Sequence, residues 1–473
     1  MNDKYTFKTE PYAHQHKVFN QSKDKEFFAL LMEMRTGKSK VVIDTASFLW
    51  QRGKIELLLV VAPNLVHRQW LDTEVERHCP VPWSGAAWLS SWSPNQTERA
   101  LSQLDETGKL AVFTINYEAC ISPRGRKILT DLVERSKTLL VLDESHRIKT
   151  PSAKQTRMLS NLGKKATYRR ILTGTPITQG PFDAFTQFNF LDPSILSCGS
   201  YFAFKNRYGV WEKQYAHGRS FQALVEYKNL NDLQQRIAGH SFRVETRECL
   251  DLPPRQYSRF RLSLSSKQQH IYNDLRDLLM AELNGVEITA PLALTKLLRL
   301  QQVTGGFFPT EDGAVAIDPV CPRMEMLSSI LENVPGKVII WARFRSELEM
   351  IEKIFGWSAV TLHGGTKKDE RDRNLKWFRH DPEVRYLIAN PAVAGEGLDL
   401  SVADTMIFYS CSFKLTERLQ AEARCDVPGR TTPVTVVDLV AENTIDEHVL
   451  EKLHAKSNVA AAITGDELRS GLS

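Results

Sequence analysis

Short runs of aliphatic and β-branched residues recur along the chain, and each ends at polar or glycine residues before helical apolar spacing begins. This alternation indicates βαβ units, whose parallel strands are buried on both faces and are therefore almost continuously apolar. Ligands of such sheets gather at the carboxyl ends of the strands. The predicted strands are Glu56–Ala62, Leu110–Ile115, Thr138–Leu142, Arg170–Leu172, Lys337–Trp341, Ala359–Leu362, Arg385–Ala389, Thr405–Tyr409 and Val434–Leu439.

The stretch between these two groups of strands has a different pattern. Ser266–Asn284 and Thr295–Val303 carry apolar residues at helical spacing, and Leu252-Pro253-Pro254 marks a break between elements. We therefore expect an α/β protein with two parallel-sheet lobes and a mainly helical insertion between them. The predicted domains are an N-terminal lobe (1–195), a helical insertion and linker (196–320), a C-terminal lobe (321–455) and a tail (456–473).

Composition is typical of a folded protein of two or three domains, with 42% hydrophobic and 25% charged residues in a chain of 473. The net charge is only +5, so any contact with nucleic acid depends on where basic residues are placed. The seven cysteines are single and form no C-x-x-C pair, which favours a reducing compartment over a zinc ribbon or a disulfide framework.

Neither a leader nor a membrane segment is indicated by the sequence. Residues 1–5 lack the apolar region of a signal peptide. The longest aliphatic run, Leu57–Ala62, is far shorter than the roughly 20 residues that span a bilayer. We expect a cytoplasmic protein with no membrane partner.

The first candidate for chemistry is a loop that follows the apolar run Phe27–Met32 and carries Met34, Arg35, Thr36, Gly37, Lys38 and Ser39. Such a loop would present backbone N–H groups and a helix N-terminus to phosphate oxygens. Lys38 would reach the β- and γ-phosphates of a nucleotide, and the Ser39 hydroxyl would ligate Mg²⁺. Met32 replaces the first glycine of the usual G-x-x-x-x-G-K-[ST] pattern, so an ordinary helix start is the alternative for this segment alone.

A second segment favours the nucleotide-binding loop over an ordinary helix start. The apolar run from Leu139 to Leu142 leads directly into Asp143 and Glu144. Two adjacent acids at the carboxyl end of a strand suit an ATPase: Asp143 would hold the metal, and Glu144 would orient the attacking water. The alternative, a solvated acidic turn, does not explain the upstream Gly-Lys-Ser. The two segments together predict an ATP site.

These two segments and several further sequence motifs occur in the order found in superfamily-two helicases. The chain therefore resembles these helicases, and within them the Swi/Snf family of double-stranded DNA translocases. The resemblance runs from about Pro11 to about His448. Its blocks are Pro11–Gln15, Val61–Trp70, Thr114–Glu118, Asp143–Lys149, Leu172–Ile177, Leu252–Tyr272, Trp341–Phe344, His363–Gly365, Gly395–Leu400 and Gln420–Gly429. It implies two RecA-like lobes, ATP and Mg²⁺ as ligands, and hydrolysis coupled to movement along DNA.

The resemblance also implies roles for single residues. Gln15 would read the adenine edge, and Gly397 and Asp399 would contribute to nucleotide binding from the second lobe. His146, Thr173 and Gln420 would couple the state of the nucleotide to the grip on DNA. The segment Leu252–Tyr272 is similar to the protrusion that distinguishes Swi/Snf proteins, which favours translocation over strand separation. Arg68, Lys149, Lys205, Arg207 and Lys367 are candidate phosphate contacts.

One block departs from the family pattern Q-x-x-D-R-x-x-R-x-G-Q. Arg424 matches the first arginine, but Val427 stands at the second. An arginine finger accelerates nucleotide hydrolysis roughly 10³–10⁵-fold, and valine cannot replace it. Either Arg430 reaches the site by a local shift, or Arg424 suffices, or turnover is slow; we favour the first two.

Two other classes of function stay open at the level of sequence. Val427 is compatible with a clamp that binds ATP and nucleic acid but hardly hydrolyses, and the shared motifs also occur in strand-separating DNA or RNA helicases. Repair, recombination and fork processing are the roles implied by the compact bacterial and phage members that the chain resembles. The expected partner is DNA, bound mainly through phosphates and so without sequence preference.

Overall fold

The computed structural model describes residues 5–64, 66–216, 219–250, 252–285, 290–310, 313–394 and 398–466. The chain divides into two compact units. Among the described residues the first contains 5–214, 220–250 and 458–466, and most of 252–457 belongs to the second. The domain boundaries predicted at 195, 320 and 455 stay a prediction.

The first unit is built on a parallel sheet. The strands of this region are β1 Phe27–Met32, β2 Leu57–Ala62, β3 Trp83–Ala87, β4 Leu110–Asn116, β5 Thr138–Asp143, β6 Tyr168–Leu172, β7 Gly209–Ala216, β8 Arg219–Tyr227 and β9 Ser241–Val244. Of these, β7 and β8 form a separate two-stranded sheet. In the described part of the chain the sheet order is β3-β4-β2-β5-β6-β1-β9, with every pair parallel. Because β5, β6 and β1 are neighbours, the loops that leave their carboxyl ends lie side by side.

Helices cover both faces of this sheet. Its larger helices are Ala13–Ser22, Lys38–Gln51, Pro94–Ser102, Pro123–Arg135, Lys154–Gly163, Ala184–Leu191, Tyr201–Tyr208 and Leu230–Ala238. Shorter helical segments are His67–Gln69, Trp70–Val75, Glu76–His78, Gln103–Asp105, Tyr117–Cys120, Ser145–Ile148, Pro181–Asp183, Pro193–Leu196 and Thr246–Cys249. Leu57, Leu59 and Val61 enter one apolar cluster, and Leu58 and Val60 enter the other. This two-sided burial explains why the strands lack polar alternation.

The second unit is also built on a parallel sheet, which is smaller. Its strands are β10 Gln256–Leu262, β11 Phe307–Thr310, β12 Gly313–Ala316, β13 Val338–Trp341, β14 Ala359–Leu362, β15 Tyr386–Ala389, β16 Thr405–Phe408 and β17 Thr435–Ala441. The described sheet order is β10-β17-β16-β13-β15-β14, again parallel throughout, while β11 and β12 form an antiparallel pair. Helical segments are Ser266–Gly285, Ala290–Thr304, Pro322–Asn333, Arg345–Phe355, Gly356–Ser358, Lys368–His380, Pro391–Ala394, Leu415–Glu422 and Ile445–Thr464.

The structure confirms the predicted fold class and the predicted strands. The helices Ser266–Gly285 and Ala290–Thr304 account for the helical character of the insertion. The same stretch also supplies β9 to the first sheet and β10 to the second, which the apolar pattern did not predict. Both are edge strands in which polar residues stand between the apolar ones, so they lack a continuous apolar run.

Candidate active site

The loop after β1 is shaped by two residues in the left-handed region. Arg35 has φ 61° and Gly37 has φ 80°. Lys38 begins the following helix, and its Nζ donates to the carbonyl oxygens of Met32 and Glu33, both at 3.0 Å. The Thr36 hydroxyl also donates to the Glu33 carbonyl, at 2.7 Å. The loop is therefore folded around the amine that we expect to meet phosphate.

Met32, at the position of the missing glycine, is the last residue of β1 and is fully buried in the apolar core. The loop proper starts at Glu33, one residue later than the usual pattern. The departure that weakened the motif in the sequence is thus a strand residue whose side chain is needed for packing.

Gln15 braces this loop from the first helix. Its Oε1 accepts from the Tyr12 backbone N–H at 3.0 Å, and its Nε2 donates to the Thr36 carbonyl at 3.1 Å. His14 Nε2 lies 2.8 Å from the same carbonyl. A Cβ on Gly37 would lie 2.1 Å from Gln15 Nε2, so a side chain there would displace the Gln15 amide, and the left-handed φ also favours glycine. The adenine contact of Gln15 stays a prediction.

Asp143 ends β5 with its carboxylate held from two sides. Trp70 Nε1 donates to Oδ2 at 2.8 Å, and the Glu144 backbone N–H donates to Oδ1 at 3.0 Å. The Tyr117 hydroxyl donates to the Asp143 carbonyl at 2.7 Å. Burial and the adjacent charge of Glu144 raise the pKa of Asp143. Sequence reasoning missed the roles of Trp70 and Tyr117, although both lie in blocks that resemble the family.

Glu144 is a non-glycine residue in the left-handed region, at φ 54°. Backbone strain of this kind persists only where the surrounding structure enforces it. Its Oε2 accepts from the Thr173 hydroxyl at 3.2 Å and lies 3.3 Å from His146 Nδ1, which is also 3.3 Å from Thr173 Oγ1. Burial opposes ionisation, but His146, Lys38 and Thr173 together lower the pKa of Glu144. The structure thus joins Glu144, His146 and Thr173 in one cluster.

The loops after β5 and β6 are also tied together behind this cluster. Buried Gln187 accepts from the Ser145 hydroxyl at 2.7 Å and donates to the carbonyls of Pro176 and Asp183. Lys149 Nζ donates to Thr178 Oγ1 at 2.5 Å, so this candidate phosphate contact is already engaged within the unit. Gln187 was not predicted, because only the adjacency of β5 and β6 brings it there.

A hydroxyl and a carboxylate are oxygen ligands of the kind that Mg²⁺ prefers. Ser39 lies in the first turn of the helix Lys38–Gln51, and Asp143 presents a buried carboxylate at the end of β5. Each Asp143 oxygen accepts one hydrogen bond and keeps further acceptor capacity. These residues fit a magnesium ion that nucleotide phosphates and water would also hold.

In the second unit, the predicted residues are held by backbone groups. Arg424 is buried, and its Nε donates to the Gln420 carbonyl at 3.0 Å while Nη1 donates to the Leu398 carbonyl at 3.4 Å. Asp399 is exposed, and its Oδ1 accepts from the Ser401 N–H at 3.1 Å. Gly397 lies outside the described residues.

Arg430 is enclosed by its own unit. Its guanidinium donates to the carbonyls of Ser401, Cys425, Ala403 and Thr432 and pairs with the Asp404 carboxylate. Only 9% of the residue is exposed. To act on a nucleotide, the side chain would have to leave all these partners. This placement argues against the local shift that we favoured from sequence, and the finger role of Arg430 stays a prediction without support from its contacts.

A buried ionic network fixes the helix Leu415–Glu422. Arg418 pairs with Glu422 Oε1 at 2.6 Å and with Asp438, and Arg255 pairs with Glu422 and Asp426. Burial disfavours the charge of Arg418, but Asp438 and Glu422 raise its pKa well above the usual range. Asp426, which directly precedes Val427, is thus paired with Arg255 inside this unit.

In the parts of the chain that the structure describes, no helix is both long and apolar enough to cross a membrane.

Two parallel-sheet units, one of which carries a Gly-Lys-Ser loop, paired acids and a threonine in contact with one of them, are typical of helicase-type ATPases. The profile of the SNF2-related domain matches residues 12–304, and that of the helicase conserved C-terminal domain matches residues 322–426. The chain belongs to the SNF2-related family, whose members are DNA-dependent ATPases.

Named relatives agree with this assignment. The chain is 24% identical over 442 residues to DNA annealing helicase and endonuclease ZRANB3 of Bos taurus, covering 91% of this chain and 38% of that protein. It is 25% identical over 449 residues to chromodomain-helicase-DNA-binding protein 1-like of Mus musculus, covering 90% and 46%. This chain therefore spans less than half the length of these relatives.

Among solved structures, the chain is similar to the Sulfolobus solfataricus SWI2/SNF2 ATPase core in complex with dsDNA. The TM-score is 0.44 and the identity 22%, covering 99% of this chain and 95% of that chain.

Proposed function

We propose that this protein is a motor that hydrolyses ATP to ADP and phosphate and uses the energy to move along duplex DNA. The observation that carries the proposal is the cluster of Glu144, His146 and Thr173, because it joins the predicted hydrolytic acid to the predicted coupling loop by direct contacts. Family membership supports the same class of activity.

Each step of hydrolysis has a candidate group in the first unit. Lys38 would exchange the carbonyls of Met32 and Glu33 for phosphate oxygens, which present stronger, charged acceptors. Magnesium, held by Ser39 and Asp143, would neutralise charge that develops on the phosphates. Glu144 is kept ionised by its neighbours and can therefore accept a hydrogen bond from the attacking water.

The same contacts suggest how hydrolysis is coupled to movement. Thr173 donates its hydroxyl to Glu144 and accepts from the Thr175 backbone N–H at 3.1 Å. A change in the charge around Glu144 would therefore reach the backbone of the loop after β6. We propose His146 and Thr173 as coupling residues on this ground, and Gln420 on the family resemblance.

For DNA, the candidates that remain exposed are Arg68 and Lys367. Lys205 lies over the Trp211 ring at 4.2 Å and Arg207 pairs with Asp232, so these two stabilise the unit and are weaker candidates. Binding to phosphates predicts affinity that falls steeply with salt.

The decisive measurement is the steady-state ATPase rate with duplex DNA, single-stranded DNA and RNA as activators, followed by displacement of a triplex-forming strand from duplex DNA. Stimulation by duplex together with triplex displacement is the expected result. Displacement of one duplex strand from the other, without triplex displacement, would identify a strand-separating helicase instead.

The second candidate is an ATP-binding nucleic-acid clamp with weak hydrolysis. It is favoured by the placement of Arg430, because Val427 removes one arginine and Arg430 is enclosed by carbonyl groups. Multiple-turnover release of phosphate on addition of DNA would exclude the clamp. Binding of DNA in the presence of ATP without turnover would exclude the motor.

We also propose a cytoplasmic location in a bacterial or phage-infected cell. The seven cysteines, all within the described residues, form no disulfide, which suits a reducing compartment. Recovery of the protein in the membrane or periplasmic fraction would contradict this assignment.

A further inference from the structure

Arg243, on the edge strand β9, lies at the centre of a set of contacts that sequence reasoning did not predict. It is paired in register with Leu31 of β1. Its Nη1 donates to the Leu31 carbonyl at 3.0 Å and to the Gly174 carbonyl at 3.1 Å. One guanidinium therefore bridges the end of β1 and the loop after β6.

The same guanidinium binds two carboxylates. Its Nε and Nη2 donate to Asp466 at 2.8 and 2.7 Å, and Nη2 lies 3.3 Å from Glu33 Oε1. Glu33 is the first residue of the phosphate loop, and its carbonyl accepts from Lys38. Asp466 lies 223 residues from Arg243 along the chain.

Thr246, three residues after Arg243, also contacts the phosphate loop. The Thr246 backbone N–H donates to Glu33 Oε2 at 3.0 Å, and its hydroxyl donates to the Met34 carbonyl at 3.0 Å. Two consecutive residues of the phosphate loop are thus fixed by the segment that follows β9.

Asp466 is aimed at Arg243 by the end of the last helix. The helix Ile445–Thr464 stops at Gly465, which has φ 81°, and the backbone N–H groups of Gly465 and Asp466 both donate to the Ala461 carbonyl. A left-handed glycine is a common helix terminator, because it turns the chain without a Cβ clash. Here the turn places an acid against the arginine.

Burial makes the arrangement sensitive to loss of either charge. The side chains of Arg243, Asp466 and Glu33 are 15%, 11% and 18% exposed. Burial disfavours the charge of Arg243, but Asp466 and Glu33 raise its pKa. Without Asp466, the cation loses its shorter carboxylate contacts and keeps the longer one to Glu33, and loss of one partner of such a buried pair is costly.

We infer that Arg243 and Asp466 are positioning residues of the phosphate loop, so that the C-terminal residues 458–466 form part of the support of the nucleotide site. The inference rests on the proposed ATPase function for its kinetic consequence only. It predicts that Asp466 acts through Arg243 on Glu33 and on the loop after β6, without touching the nucleotide.

The test compares Asp466→Asn with Asp466→Glu and with Glu451→Gln in the full chain. Glu451 lies on the same helix, but its side chain is 74% exposed. For each variant we would measure the melting temperature, KM for ATP, kcat, and hydrogen exchange of backbone amides in residues 31–38 without nucleotide.

For Asp466→Asn, we expect KM to rise about tenfold with kcat nearly unchanged, since a disordered loop weakens ground and transition states alike. Exchange in residues 31–38 should rise together with KM. Asp466→Glu should recover most of both values, and Glu451→Gln should resemble the native protein.

A second variant keeps the inference falsifiable if charge loss proves too disruptive. Gly465→Ala retains every charged group but opposes the left-handed turn, so it should raise exchange in residues 31–38 by a smaller factor than Asp466→Asn. Native exchange in that segment for both Asp466→Asn and Gly465→Ala would overturn the inference. Absence of ATPase activity in the native protein, with raised exchange in Asp466→Asn, would refute the proposed function and leave the positioning role supported.

Discussion

The hydroxyl of Thr173 donates a hydrogen bond of 3.2 Å to Oε2 of Glu144. This contact links the loop after β6 to the acid after β5, and it stands beside His146, which approaches both side chains at 3.3 Å. Because strands β5 and β6 are neighbours in the sheet, two loops that are distant in sequence act on one carboxylate.

Removal of the Thr173 hydroxyl tests that link. Thr173→Val keeps the shape of the side chain but leaves Glu144 with a weaker set of donors. We expect kcat to fall roughly 10-fold, which corresponds to about 1.4 kcal/mol, the size of one hydrogen bond to a charged group. KM for ATP should change little.

Thr175→Val is the matched control on the same loop. Within the described part of the chain, the Thr175 hydroxyl has no hydrogen-bond partner, so its removal should leave kcat nearly native. Equal losses in both variants would show that the effect comes from disturbance of the loop and not from the contact with Glu144.

Glu144→Gln separates binding of ATP from its hydrolysis. The amide preserves size but cannot act as a base toward water, so we expect hydrolysis to slow by about 10²–10⁴-fold while nucleotide affinity stays within a few-fold of native. Single-turnover hydrolysis and binding of a fluorescent ATP analogue measure the two quantities. Glu106→Gln, at an exposed acid paired with Lys109, is the control. Native turnover in Glu144→Gln would remove this residue from the reaction.

Arg430→Ala is predicted to affect stability more than chemistry. The change leaves the carbonyls of Ser401, Cys425 and Ala403 without their donor. The free energy of unfolding should fall by about 2–4 kcal/mol, because buried acceptors lose a charged partner. Denaturant unfolding measures this change, and Arg424→Ala provides the comparison.

If Arg430 is an arginine finger in spite of its contacts, Arg430→Ala should instead unfold like the native protein and lose hydrolysis. That outcome would contradict the structural role assigned here. A loss of hydrolysis restricted to Arg424→Ala would assign charge stabilisation to Arg424.

His78 predicts a pH dependence of stability. Burial, and then the charges of Lys40, Arg77 and Lys8, lower its pKa to about 4. In the unfolded chain this histidine has its ordinary pKa of about 6.5. The free energy of unfolding therefore keeps its full value above pH 6.5 and decreases as the pH falls from 6.5 toward 4, because the unfolded chain then binds a proton that the folded chain does not.

Denaturant unfolding of the native protein and of His78→Gln between pH 4 and pH 8 measures this contribution. We expect the slope between pH 4 and 6.5 to be smaller in His78→Gln. His270→Gln, at a histidine whose side chain is 81% exposed, is the control. Identical slopes in the native protein and His78→Gln would contradict the assignment.

The sequence by itself determined the α/β class, the central strands and the position of the Gly-Lys-Ser loop, because these depend on local features. A buried parallel strand must be apolar throughout. Asp143 ends such a strand, Glu144 follows it directly, and Lys38 begins the helix after the loop that leaves β1. Edge strands β9 and β10 were not predicted, because they are partly exposed and their sequences show no continuous apolar run.

Only the tertiary structure decided which side chains act together. Trp70 reaches Asp143, Gln187 joins the loops after β5 and β6, and Arg243 meets Asp466 because of strand order and a helix end, neither of which local patterns encode. The same holds for Arg430: the sequence placed an arginine near the expected position, but only the fold showed that carbonyl groups surround its guanidinium. Contacts between residues far apart in the chain depend on how the sheet is assembled, and that assembly fixed their roles.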